Sequence, residues 1–139
     1  MAPSPEARTA LARRGVELYQ AGDVEGVLAL LHPQVEGFSE GPNTGGFDNH
    51  DGFLRWASEW DEAWESFERK VRDVEVVGER HAVAIVHQTG RGRDSGIEVE
   101  QLAAYVFEID DEGRCVYLGL FLDLQRGVEA ARERERSRE

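Results

Sequence analysis

The sequence predicts an α+β domain with helices packed on one face of a curved sheet, and three observations carry that prediction. Apolar residues recur at helical spacing from Glu6 to Leu31 and again from Gly52 to Lys70. From Val71 onward the period shortens to strand-like runs, and short polar separators join them. Helices that precede a run of hairpin-linked strands segregate from the sheet, which is the pattern of an α+β fold. The 139 residues, 40% of them hydrophobic, suffice for one domain with its own core.

The first helix is expected at about residues 6–21, where Ala7, Leu11, Gly15 and Leu18 share a face. Gly22 stops it, and Asp23 caps a second helix, at about 23–31, which His32-Pro33 ends. Val35 to Phe38 reads as a short strand. Ser39 to Asp51 contains Gly41, Pro42, Asn43, Gly45 and Gly46, and so reads as an irregular loop that can act as a pocket flap. The third helix, at about 51–69, brings Phe53, Trp56, Trp60, Trp64 and Phe67 within about 80° of one another on the helical wheel. Strands are expected over Val71–Val77, Ala82–Thr89, Ile97–Ile109 and Cys115–Leu124. Their separators, Gly78-Glu79-Arg80, Gly90 to Gly96 and Asp110 to Gly113, suit tight links. The Arg/Glu alternation after Arg126 is the pattern of a solvated terminal helix. Residues 10–131 are thus read as the domain, with a flexible segment at 1–9 and a charged tail at 132–139.

Composition excludes several function classes. Asp and Glu number 28 against 16 Lys and Arg, a net charge of −12, which argues against nucleic acid or an anionic membrane as partner. Cys115 is the one cysteine, so neither an internal disulfide nor a cysteine-based zinc site is available. Met1 to Arg14 lacks the apolar stretch of a secretory signal, and a cytoplasmic location is expected. Two motifs mislead. Gly90 to Gly96 has the glycines of a phosphate loop but joins two strands, whereas a phosphate cradle needs a strand-to-helix turn. Asp48-Asn49-His50-Asp51 is too contiguous for a metal loop and better suits a helix cap. No metal and no cofactor are expected.

The order of these elements, with Gln20-Ala21-Gly22-Asp23 between two helices, a break at His32-Pro33, a Gly-rich loop, an aromatic helix and a closing meander, resembles the nuclear-transport-factor-2-like superfamily. Within it the chain is most similar to SnoaL-like proteins, related to polyketide cyclases and ketosteroid isomerases, over roughly Ala10 to Ala131. The resemblance implies a cone: a bent antiparallel sheet wrapped around three N-terminal helices, a cystatin-like α+β barrel with an apolar pocket inside. It also implies a homodimer through the outer face of the sheet. Activity does not follow from the fold. By alignment, the ketosteroid isomerase tyrosine falls at Gly15, its general-base aspartate at Gly37 and its second aspartate near Tyr105, so that activity is rejected.

The resemblance leaves Asp123 near the position of the polyketide cyclase acid/base. Asp123 is expected either as a desolvated proton carrier or as the cap of the last helix. His87 is expected either as a second proton carrier or as an outer-face residue, since it and Gln88 must face opposite sides of one strand. Tyr19, Trp56, Trp60 and Tyr105 are the expected pocket residues. Two functions follow: a cofactor-independent cyclase, isomerase or lyase acting on a hydrophobic carbonyl compound, or a non-catalytic ligand-binding or assembly module of the same fold.

Overall fold

The computed structural model describes residues 2–40 and 45–137. Helix α1 (Pro5–Gln20) is capped by Ser4, and α2 (Val24–Leu30) by Asp23, whose side chain accepts the Gly26 N–H at 2.9 Å. Strand β1 (Leu31–Ser39) follows without a loop, and the short β2 (Gly45–Phe47) pairs with it. Helix α3 (His50–Ala63) is capped by Asn49, at the start of the acidic cluster that imitates a metal loop. Strands β3 (Trp64–Val77), β4 (His81–Gly92), β5 (Glu98–Ile109) and β6 (Cys115–Phe121) form the meander, and α4 (Leu124–Ser137) closes the described chain. The glycine-rich segment between β4 and β5 is a hairpin link, with Gly96 at φ +67°. Of the expected flap, residues 41–44 lie outside the described residues, and β2 occupies part of the remainder.

The sheet has the order β2-β1-β6-β5-β4-β3. Four pairings are antiparallel, and the β1–β6 pairing is parallel. Alternation along the strands sends residues to opposite faces. Ala82, Ala84 and Val86 of β4 and Phe107 and Ile109 of β5 turn inward, where Ala12, Val16, Val27 and Phe53 of the first three helices cover them. Val83, Ala104, Val106, Tyr117 and Phe121 turn outward and are covered in part by α4 through Ala131 and Val128.

The largest difference from the expected boundaries lies between the third helix and the strand after it. The third helix ends at Ala63 rather than near residue 69, because Trp64 already has extended backbone angles, φ −121° and ψ 135°. A bulge between Trp64 and Ser66 shifts the register of β3 against β4. One extra residue in a strand returns the next inward side chain to the face it would otherwise lose. Trp64 and Phe67 therefore continue the aromatic row of α3 even though the helix has ended, with Trp60 to Trp64 at 6.0 Å and Trp60 to Phe67 at 5.3 Å between ring centroids. Described residues near both ends of the chain pack onto the sheet. Arg8 is buried and donates to the carbonyls of Gly78 (3.0 Å) and His81 (2.9 Å). Glu135 and Arg134 of α4 reach back to His81 and Glu108.

Candidate functional site

Where α1, α2 and α3 meet the inner face of the sheet, the core encloses an apolar slot of about 40 Å³. Its walls include Leu11, Val16, Val27, Phe53, Trp56, Phe107 and Leu118, and its polar groups are contributed by Tyr19, Arg69 and Tyr105. That volume takes a water-sized group rather than a ring system. The glycines at the aligned isomerase positions help explain the tight fit. A side chain at Gly37 would collide with the ring of Phe47, its Cβ lying 2.1 Å from the ring's Cζ. A Cβ at Gly15 would touch Phe107 at 3.4 Å. Phenyl rings fill or adjoin the space where an aspartate and a tyrosine would stand.

A second, open cleft of about 360 Å³ lies on the other side of one wall. Tyr19, Val27, Phe53 and Arg69 line both spaces, so the wall between them is a few side chains thick. Ala57, Trp64 and Phe67 give the cleft an apolar floor, and Asp61, Glu65 and Arg93 stand at its edge. Arg93 is committed to the end of α3, donating to the carbonyls of Glu62 (3.2 Å) and Trp64 (2.9 Å).

The polar groups of the wall are chained. Gln20 on α1 accepts the backbone N–H of Arg69 on β3 at 2.8 Å, which ties the helix to the edge of the sheet. The Arg69 Nε donates to the Tyr105 hydroxyl at 3.1 Å, and that hydroxyl donates to Oε1 of the fully buried Gln88. The Arg69 guanidinium lies between the rings of Tyr19 and Phe67, 4.5 Å from each centroid. Such stacking holds a guanidinium by cation–π attraction without neutralising it. Arg69 is 8% exposed. Among the described residues no carboxylate lies within ion-pair distance of it. The Tyr19 hydroxyl is buried and has no hydrogen-bond partner.

Burial raises both phenols above their ordinary range. For Tyr105 the Arg69 cation opposes the shift, and for Tyr19 Arg69 opposes while Asp61 adds to it. Both are therefore neutral hydrogen-bond donors at pH 7. Burial likewise pushes the Cys115 thiol up to about 12, so this slot-lining cysteine is a protonated thiol and not a nucleophile.

The residues expected from sequence divide into two groups. Tyr19, Trp56 and Tyr105 come together at the slot. Trp60, 1% exposed, lines neither slot nor cleft; it is packed against Trp56, Trp64 and Phe67 as core. Asp123 is exposed and accepts the Arg126 N–H at 3.1 Å as the cap of α4, outside the cone. His87 points to the outer face, 3.6 Å from Glu100, because strand parity sends its neighbour Gln88 inward. Arg69 and Gln88 are the wall residues that a sequence-based list of candidates lacks.

A bent, mostly antiparallel sheet enclosing helices and a slot at the helix–sheet junction defines the nuclear-transport-factor-2-like class. The family model described as a SnoaL-like domain matches residues 12–118, and the chain belongs to that family. Solved structures agree on the fold. An NTF2-like protein of unknown function from Burkholderia pseudomallei is similar at 16% identity and a TM-score of 0.75, over 88% of this chain and 95% of that one. A SnoaL-like polyketide cyclase homologue from Jannaschia sp. CCS1 is similar at 17% identity and a TM-score of 0.74, over 95% and 97%. A Mycobacterium tuberculosis protein in complex with estradiol-17beta-hemisuccinate is similar at 13% identity and a TM-score of 0.68, over 86% and 95%. Comparison with curated proteins finds no match. No helix among the described residues is long and apolar enough to cross a membrane.

Proposed function

We propose that this protein binds a small, mainly apolar molecule bearing an oxygen acceptor, with its body in the cleft and its oxygen at the wall of Tyr19, Arg69 and Tyr105. The observation that carries the reading is the buried Tyr19 hydroxyl, without a hydrogen-bond partner among the described residues, on a side chain that lines both slot and cleft. A buried hydroxyl without a partner costs about 1–3 kcal/mol, which a ligand oxygen would recover. The aromatic floor around a few convergent polar groups is the usual make-up of a small-molecule site. The steroid ester held by the Mycobacterium tuberculosis neighbour supports the same use of the fold.

Of the two functions expected from sequence, ligand binding is the better supported. In a cyclase, isomerase or lyase, Tyr19 and Arg69 would polarise a carbonyl, but a base is also needed. Among the described residues no Asp, Glu or His lines the slot, and the carboxylates lining the cleft, Asp61 and Glu65, are exposed. The positions of Asp123 at the α4 cap and His87 on the outer face do not support a proton-carrier role in this reading. A homodimer through the part of the outer face that α4 leaves uncovered, where Leu102 is 41% exposed, completes the reading. Light scattering at micromolar concentration tests it: a dimer mass is expected, and a monomer mass removes it.

The test of binding is intrinsic fluorescence, since Trp56 lines the slot and Trp64 the cleft. An apolar compound with one carbonyl, carboxyl or phenol group is expected to shift the emission saturably. Trp64→Phe is expected to lose part of that signal with an unchanged circular dichroism spectrum. A broad screen of such compounds with no saturable response refutes the reading.

A further inference from the structure

The Arg69 side chain is 8% exposed and has no counter-ion among the described residues, and its Nη groups are not sealed from solvent. Its backbone N–H and its Nε are satisfied by Gln20 and Tyr105, but among the described residues neither Nη group makes a hydrogen bond or ion pair. The two rings that enclose it are neutral, and the hydroxyl it meets is a neutral donor to Gln88. A guanidinium held largely out of bulk water in this way is stabilised when an anion joins it. Other buried and half-buried arginines of this chain have acceptors within it, although the Arg8 Nε makes no hydrogen bond among the described residues. Arg134 meets Glu108 at 2.8 Å, Arg80 meets Asp111 at 2.8 Å, and Arg8 donates to three carbonyls. Arg69 alone among these lines a cavity, and it lines both.

We infer that the oxygen acceptor of the ligand is anionic, and that the site selects a small apolar carboxylate, which the Arg69 Nη groups hold with the Tyr19 hydroxyl as an added donor. A planar fork of N–H donors matches the two oxygens of a carboxylate, and these charge-assisted bonds are shorter and stronger than neutral ones. Asp61 and Glu65 at the cleft edge repel an incoming anion, but both are exposed and screened by water and salt, whereas Arg69 acts at the buried end. The inference rests on the binding reading and goes beyond it in charge, so the two can fail separately.

The experiment pairs acids with their neutral amides. Phenylacetate, 3-phenylpropionate, 2-naphthoate and octanoate, and the four primary amides, are titrated at pH 7 against intrinsic fluorescence in the wild-type chain, Arg69→Met, Arg69→Lys and Tyr19→Phe. The best acid is expected to bind at least about tenfold more tightly than its amide. Arg69→Met is expected to bring that ratio close to one while the amide still binds. Arg69→Lys, which keeps the charge if the methionine variant fails to fold, is expected to retain a preference for the acid of smaller size. Equal binding of acid and amide to the wild type overturns the inference and leaves the binding reading standing. An acid preference that survives in Arg69→Met also overturns it, since another cation is then responsible. Absence of binding by all eight compounds overturns both.

Discussion

The two faces of the sheet handle buried charge in opposite ways. On the outer face, His81 is fully buried with Glu135 at 2.5 Å from Nδ1 and Glu108 at 3.2 Å from Nε2. Arg134 closes the group from α4, pairing with Glu108 and lying 3.7 Å over the Tyr117 ring. Each charge there has an opposite charge, and the cluster fastens α4 to the ends of β4 and β5. On the inner face, Arg69 has aromatic walls and a phenol but, among the described residues, no carboxylate. Compensated charge is what a structural clamp needs, whereas an uncompensated charge beside a cavity makes sense when the missing partner comes from outside.

That contrast sets the expected sizes of perturbation. The largest belongs to the outer cluster: Glu108→Ala removes the carboxylate between His81 and Arg134 and is expected to cost about 3 kcal/mol in chemical denaturation. A loss below about 1 kcal/mol would mean that α4 is held by its apolar contacts and by Glu135 rather than by Glu108. An acid titration measures the same cluster. Burial by itself would raise the Glu108 carboxyl, but hydrogen bonds from His81 and Arg134 outweigh it and hold the group at about 2, below its ordinary 4.5. Glu135 is lowered too, burial again being outweighed by His81 and by the N–H groups of Glu79 and Arg80. A carboxyl whose folded value is depressed contributes stability that is complete above its unfolded value and is lost as pH falls toward the folded one. Stability is therefore expected to drop between about pH 4.5 and pH 2, by up to about 3 kcal/mol from Glu108. Glu108→Gln is expected to flatten that decline, and an unchanged slope would contradict the assignment.

Smaller effects are expected as the contacts become more exposed or less compensated. Arg134→Met loses a half-exposed ion pair and a ring contact, about 1 kcal/mol. Arg69→Met, despite the deep burial of the residue, is expected to change unfolding free energy by less than about 1 kcal/mol, because an apolar side chain there sheds an uncompensated charge. Tyr19→Phe is expected to be the mildest, neutral or slightly stabilising, since it removes a hydroxyl that makes no hydrogen bond among the described residues. A loss of 3 kcal/mol at Arg69 would erase the distinction between the faces.

The change of apolar period at the third helix was enough to read the fold class, because burial on one face imposes it on both kinds of element. It was less informative at Trp64 to Arg69. Aromatics at positions 60, 64 and 67 fit a helix, and they fit equally a helix end followed by a bulged strand. That ambiguity also hid Arg69, which stands between Glu68 and Lys70 and resembles a solvated helical face. Once the segment is a strand, the alternation Phe67, Arg69, Val71 marks it as inward. Tyr19, Trp56 and Tyr105 were legible because large aromatics seek the interior in either reading. For Asp123 and His87 the sequence left two roles each; Asp123 sits at a strand end as the cap of α4, and His87 follows the outward parity of β4.

The most direct test is a crystal structure of the wild-type protein soaked with 3-phenylpropionate at pH 7. The phenyl ring is expected between Phe53 and Trp64 in the cleft, with both carboxylate oxygens within hydrogen-bond distance of the Arg69 Nη atoms and one also meeting the Tyr19 hydroxyl. A structure in which Arg69 instead pairs with a carboxylate of its own chain, or in which the acid binds away from Arg69, would contradict the account.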